Sequence, residues 1–208
     1  MGRWGITAFI VEGDNPGLRV AEPRPKMGMR TTPFADVELV DCEVGEHAVL
    51  GRVGSGAGIF STVMESERAF LLAGSVGQLE RQIEDTTAYA NTREQFDQPI
   101  GSFQAVSHAI ADMKYQHETA RLMLYKAAIL QGGGNPSMMA AALAKLAISE
   151  AALAGAISSV RVHGARGYVS EFGVERTVRD TVGGVISGGS SDIQRNIVAR
   201  LLGLPKGE

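Results

Sequence analysis

Three stretches of this chain carry residues that could do chemistry. In Arg93-Glu-Gln-Phe96-Asp-Gln-Pro-Ile100-Gly-Ser-Phe103-Gln104 a guanidinium lies near a helix end beside an aromatic ring. A planar, permanently charged, bidentate fork of that kind suits a diphosphate; a structural salt bridge is the alternative for Arg93. In Ile186-Ser-Gly188-Gly189-Ser190-Ser191-Asp192-Ile-Gln194 the two glycines permit close backbone approach. A helix opening just after them offers free N–H donors to an anion or a carbonyl oxygen. Met64-Glu65-Ser66-Glu67-Arg68 brings two carboxylates into a helix-forming run. Glu65 and Glu67 project roughly 200° apart on a helix, so only one of them can face a given centre. The dipole of an early helical turn would favour an acidic residue there without any chemistry.

The elements that must hold these residues fall into two kinds. Residues 1–52 contain Ile6–Val11 and Phe34–Val40, alternating or apolar over strand lengths, punctuated by Asp14-Asn-Pro-Gly17, Pro23 and Pro25, which is β patterning. From about Ser55 the pattern becomes long Ala/Leu-rich helical stretches, broken at Gly101-Ser102, at Gly132–Gly134, at Gly164–Gly167 and at Gly183–Gly189. Asn135-Pro136 places a capping side chain before a proline at a first helical position, and Ser191-Asp-Ile-Gln194 has capping-box spacing. Phe103, Val106, Ile110 and Met113 share one helical face. The fold class expected is mainly α: a partial β domain over 1–52, then a four-helix bundle with a short fifth helix over 53–208. The β segment offers few strands and its opening residues look like the middle of a domain, so a truncated or split polypeptide is expected.

Composition narrows the function. A chain of 208 residues that is 44% hydrophobic can build a real core. A net charge of -3 with both signs interspersed gives no basic stripe for nucleic acid and no polybasic segment for a membrane surface. No apolar run reaches transmembrane length and no signal segment is seen. A single cysteine, Cys42, cannot form an internal disulfide, and it reads as a buried small hydrophobe in a strand-rich region rather than a nucleophile. A reducing cytoplasm fits these features. His47, His108, His117 and His163 show neither metal-ligand nor triad spacing, so no metal is expected.

The run Tyr89–Gln104, with Ala-Asp-Met113 beyond it, resembles the Tyr-x-x-x-Arg-x-x-Phe-Gly-x-Pro-Ile motif of the acyl-CoA dehydrogenase superfamily, with Asp97 where the family usually has Gly. His163-Gly-Ala-Arg-Gly-Tyr168, Glu175-Arg176 through Arg179-Asp180, and Ile186–Gln194 resemble that family's Gln-x-x-Gly-Gly-x-Gly-Tyr segment, its Glu-Arg-x-x-Arg-Asp helix and its terminal Glu-Gly-Thr-Ser-x-Ile-Gln turn. The resemblance implies FAD as cofactor. It places Arg93 on the pyrophosphate of a neighbouring subunit's FAD, with Phe96 and Gln104 along the cofactor. It also assigns Arg161, Gly164, Ala165, Ser190 and Asp192 to cofactor binding, and Arg68, Gly188 and Gly189 to the substrate side. Arg161 stands where the family's cofactor-binding Gln would be, and Ala165 replaces its second Gly.

The glutamate that serves as base in most of the family aligns with Gly188. Glu67-Arg68 is similar to the Glu-Arg pair by which isovaleryl-type members bring a base to the same carbon from another helix, so the resemblance implies Glu67 as catalytic base. Arg68 orders the substrate, orients Glu67 or forms a structural ion pair. Further detail resembles members acting on carrier-protein-tethered substrates in secondary metabolism, with prolyl-carrier-protein dehydrogenases the nearest type. The expected function is therefore α,β-dehydrogenation of an acyl thioester on CoA or a carrier protein. The expected assembly is a homodimer or homotetramer, or a hetero-oligomer with a chain supplying the missing N-terminal half. Electron-transfer flavoprotein is a candidate electron acceptor. The alternatives are a non-catalytic partner subunit, or a flavin oxidase or hydroxylase of the same fold.

Overall fold

In the computed structural model of the chain, residues 5–135 and 137–205 are described. They form two compact units, Met1–Met64 and Glu65–Glu208.

The first unit holds short antiparallel pairings rather than the longer strands expected. β1 (Ala8–Phe9) pairs with β4 (Val49–Leu50), and β2 (Leu18–Val20) pairs with β3 (Val37–Leu39). The run Ile6–Val11 thus contributes only Ala8–Phe9, with Ile6 and Ile10 more than half exposed. Cys42 is half-buried on the loop after β3, its Sγ 3.3 Å from Asn15 Oδ1. It is a hydrogen-bonded turn residue, not the buried apolar filler expected.

The second unit is helical. α1 (Gly56–Phe70) enters it, followed by α2 (Ala73–Thr92), the hairpin β5 (Glu94–Gln95) and β6 (Gln98–Pro99), α3 (Gln104–Gly132), α4 (Met138–His163), α5 (Ala165–Tyr168), α6 (Val174–Ile186) and α7 (Ser191–Leu201). Sequence patterning gave no break between residue 55 and the helix end near Arg93, yet α1 and α2 are separate helices. Leu72 leaves helical geometry at ψ 10° and packs on the core. No Gly or Pro marks this break because tertiary packing makes it.

α4 is the axis of the bundle, in contact with α2, α3, α6 and α7. Its buried alanines, among them Ala141, Ala142, Ala144, Ala152 and Ala156, let neighbouring backbones come close. At Gly155 a β-carbon would lie 2.3 Å from Leu79 Cδ1, so glycine is what allows α2 and α4 their separation here. Contrary to the expectation that no apolar run reaches membrane-spanning length, α4 is long and apolar enough, with mean hydropathy 1.6, but 61% of that window is buried inside the bundle. The stripe read from Phe103 to Met113 continues as expected: Met113, His117, Ala120, Leu124 and Ala127 are buried along α3. Asn135 does not cap α4. Its Nδ2 donates to Gly133 O at 3.4 Å, Ser137 occupies the N-cap position, and Pro136 lies outside the described residues.

Candidate functional site

α6 and α7 are joined by a tight turn in which Gly188 and Gly189 have φ of 59° and 85°, values that side chains with a β-carbon resist. The turn is held from inside by Gln194, which is fully buried and donates from Nε2 to Gly189 O at 2.8 Å and Gly188 O at 3.3 Å. The capping residue of α7 is Ser190, whose Oγ accepts from Ile193 N at 3.3 Å. The expected capping box at Ser191 and Gln194 is corrected accordingly. The serine cap is one residue earlier, and the amide binds carbonyls of the turn instead of a backbone N–H.

Against this turn stands Glu67. A β-carbon built on Gly188 would lie 3.2 Å from Glu67 Oε1, so the carboxylate lies directly against the place where a side chain of residue 188 would begin. Glu67 is half-buried, and its carboxylate has neither hydrogen bond nor ion pair among the described residues. Its neighbours fix its direction. The Ser137 hydroxyl donates to the Glu65 carboxylate, and Gln131 Nε2 donates to Ser66 Oγ at 2.5 Å. Three consecutive residues of α1 therefore face three different elements, as a step of about 100° per residue requires. Glu65 is turned away from Gly188 and is not the carboxylate of the turn. Arg68 Nε is buried without a partner among the described residues, so its structural ion pair is not formed there.

A second cluster forms where α2 ends. Arg93 caps α2, its N–H bonded to Tyr89 O at 2.8 Å, and its carbonyl accepts from Ile100 N at 2.8 Å to close the hairpin. Phe96 and Asp97 form the two-residue tip with φ of 54° and 60°, the left-handed pair that such hairpins need. Phe96 is 85% exposed and meets Phe103 edge to face at 6.0 Å. Arg93 and Gln104, the first residue of α3, are exposed as well, and the Arg93 guanidinium has no carboxylate partner among the described residues.

α4 ends at the same place. The His163 ring stacks on Tyr89 at 4.5 Å, and the Arg166 guanidinium lies 5.9 Å from the Tyr89 ring and 4.5 Å from Phe172. A buried hydrogen bond between Thr86 and Ser159 (2.9 Å) ties the helices one turn earlier. This places the exposed Arg161, the C-cap Gly164 (φ 59°) and Ala165 at the end of the bundle that carries Arg93. The stack was missed by sequence reasoning, although Tyr89 at four residues before Arg93 and His163 with Arg166 at helical spacing were its signal. Asp192 does not join either cluster: it is exposed and paired with Arg195 at 3.0 Å.

The comparisons with known proteins bear on this arrangement. The model of the acyl-CoA dehydrogenase C-terminal domain matches residues 54–203. The chain belongs to the acyl-CoA dehydrogenase family. It is 46% identical over 203 residues to an L-prolyl-[peptidyl-carrier protein] dehydrogenase of Pseudomonas fluorescens, covering 98% of the chain and 53% of that relative. The crystal structure of the prolyl acyl carrier protein oxidase AnaB superposes with a TM-score of 0.96 at 40% identity, over 98% of this chain and 54% of AnaB. The FAD complex of PigA superposes with a TM-score of 0.95 at 36% identity, over 98% of this chain and 53% of PigA. The chain thus spans about half the length of the relatives it matches. The family's cofactor is FAD. The residues present fit it: an exposed guanidinium at Arg93, without a carboxylate partner among the described residues, for the diphosphate, and an exposed aromatic at Phe96 beside Gln104.

Proposed function

We propose that this chain serves FAD-dependent α,β-dehydrogenation of an acyl thioester, with Glu67 as the general base. One observation supports the reading: the Glu67 carboxylate stands in close contact with the place where a side chain at Gly188 would start, Oε1 at 3.2 Å from that position. A base removed from the turn between α6 and α7 is thereby replaced in space by one from α1. Bound FAD would supply the two-electron acceptor for the hydride that leaves the β-carbon. Glu67 takes the α-proton at a carboxylate oxygen. The Gly188 N–H, which meets no acceptor among the described residues, donates to the thioester carbonyl oxygen and stabilises the charge that develops there. Arg68 lies next to the base with its buried Nε free to orient carboxylate or substrate.

The substrate we favour is a prolyl group on a peptidyl carrier protein, because relatives with that substrate in their names reach 46% identity. The Glu67–Gly188 arrangement favours a catalytic over a scaffold role, since a scaffold has no use for an unpaired carboxylate beside a glycine turn. Arg93 serves a different flavin from Glu67. α2 has 20 residues and separates their ends by about 30 Å, more than the reach from ring to diphosphate within one FAD. The assembly is accordingly an oligomer in which Arg93, Phe96 and Gln104 reach the flavin of a neighbouring subunit. Tyr115, Leu122 and Ile129, all more than 60% exposed at seven-residue spacing along α3, offer an apolar stripe for such contact.

The test is anaerobic bleaching of the flavin by a prolyl thioester in the FAD-loaded assembly. Glu67→Gln should slow it about 10²–10⁴-fold, while Glu65→Gln leaves the rate within a few-fold. Unchanged bleaching in Glu67→Gln would contradict the proposal.

A further inference from the structure

Lys145 is the anomaly of α4. In a helix whose buried face is otherwise mostly alanine and serine, it is 2% exposed. A long charged side chain is rarely taken out of water unless its charge is satisfied. Its Nζ donates to Gly184 O at 2.7 Å, in the last turn of α6. The carboxy end of a helix carries partial negative charge, so an ammonium is stabilised there. Burial lowers the Lys145 amine below the ordinary lysine value, with Glu150 pulling the other way.

The carbonyl that Lys145 takes is a particular one. The last regular rung of α6 runs from Ser187 N to Gly183 O at 3.0 Å. The next rung would join the Gly188 N–H to Gly184 O. That rung is absent: Gly184 O receives Lys145 instead, Gly188 turns to a φ of 59°, and its N–H has no acceptor among the described residues. Gln194 holds the far side of the same turn through its two carbonyls.

We infer that Lys145 is a positioning residue: by taking the Gly184 carbonyl it ends the α6 ladder and keeps the Gly188 N–H free for the carbonyl oxygen of the thioester. This rests on the reading that the Gly188 turn faces the reacting carbon, and extends it to a residue that touches neither substrate nor flavin. Lysine does this where a neutral apolar residue would not, because a charged donor competes with a backbone N–H for one carbonyl.

The experiment compares Lys145→Met, Lys145→Gln and Lys145→Arg in the FAD-loaded enzyme assembly. Amide hydrogen exchange across residues 184–189 is read by mass spectrometry beside steady-state kinetics with a prolyl thioester. In Lys145→Met the Gly188 amide should join the ladder and exchange at least about tenfold more slowly. Its kcat should fall about 10²-fold with KM within threefold, the signature of a donor lost in the transition state. Lys145→Arg, which keeps a charged donor, should retain the wild-type exchange rate at Gly188. If Lys145→Met does not fold, Lys145→Gln carries the test, since its amide is too short to span to Gly184. Unchanged exchange at Gly188, with or without loss of activity, overturns the inference, because a merely structural lysine would alter stability and leave that amide alone. Glu67→Gln should leave Gly188 exchange untouched, so failure of the base and failure of the positioning role are read separately.

Discussion

A carboxylate need not hang from a turn in order to act beside it. At Gly188 the side chain is missing, and the space it would fill is entered by Glu67 from α1, at 3.2 Å from the position of the absent β-carbon. The resemblance singles out Glu67, and the angular separation on the helix then points Glu65 elsewhere, in keeping with the Glu65 carboxylate accepting from Ser137. Lys145 was illegible for the opposite reason: in an alanine-rich run a lone lysine reads as a solvated residue, and its use depends on α6, which lies far along the chain. A further consequence at this scale concerns acid stability. The Arg179 hydrogen bond holds the Glu175 carboxyl below its ordinary value of 4.5, with the Arg176 backbone and both guanidinium charges adding to it against the opposing effect of burial. A carboxylate whose folded pKa is depressed contributes stability that is present above 4.5 and is lost as pH falls through the folded value. Urea unfolding midpoints of wild type should therefore decline in that acid range more steeply than those of Glu175→Gln; parallel declines would remove Glu175 from the account.

At the scale of elements, the hairpin β5–β6 is the piece with the most visible strain. Phe96 and Asp97 both sit at positive φ, at 54° and 60°, where an L side chain costs about 1–2 kcal/mol. Asp tolerates this region better than most residues, and glycine better still. Asp97→Gly should raise stability by about 0.5–1 kcal/mol after the greater freedom of glycine in the unfolded chain is set against the relief. A thermal midpoint that falls instead would mean that the Asp side chain holds the tip. The break before α3 was readable at Gly101-Ser102 and in the apolar spacing from Phe103 to Met113, whereas the two-residue strands of the hairpin were not. The break between α1 and α2 was not readable, since Phe70-Leu-Leu-Ala73 holds good helix formers and the chain bends there to seat Leu72 on the core. The cap of α7 slipped by one residue because Ser190 and Ser191 are chemically alike, and only the left-handed Gly189 before them fixes which hydroxyl faces the helix.

For the whole molecule, the helical unit explains why the residues proposed for function divide into two sets. Glu67 and the Gly188 turn lie where α2 begins, while Arg93, Phe96, Gln104 and the Tyr89–His163–Arg166 stack lie where α2 and α4 end. The alanine-rich α4 makes this possible, because small residues and Gly155 bring α2, α3, α6 and α7 close enough to share one core. Long-range periodicity made this bundle legible, whereas the short pairings of the first unit were not, since two- and three-residue strands carry too little alternation to count. In the proposed function it is the assembly that joins the two sets into one chemistry, and the account stands on the role given to Glu67 within it. The most direct measurement follows the α-proton itself: loss of deuterium to water from the α-carbon of a bound thioester analogue that cannot give up hydride. Wild type should wash out the label, and Glu67→Gln should bind the analogue yet retain the label at least about 10²-fold longer; washout at the wild-type rate in Glu67→Gln would contradict the central claim.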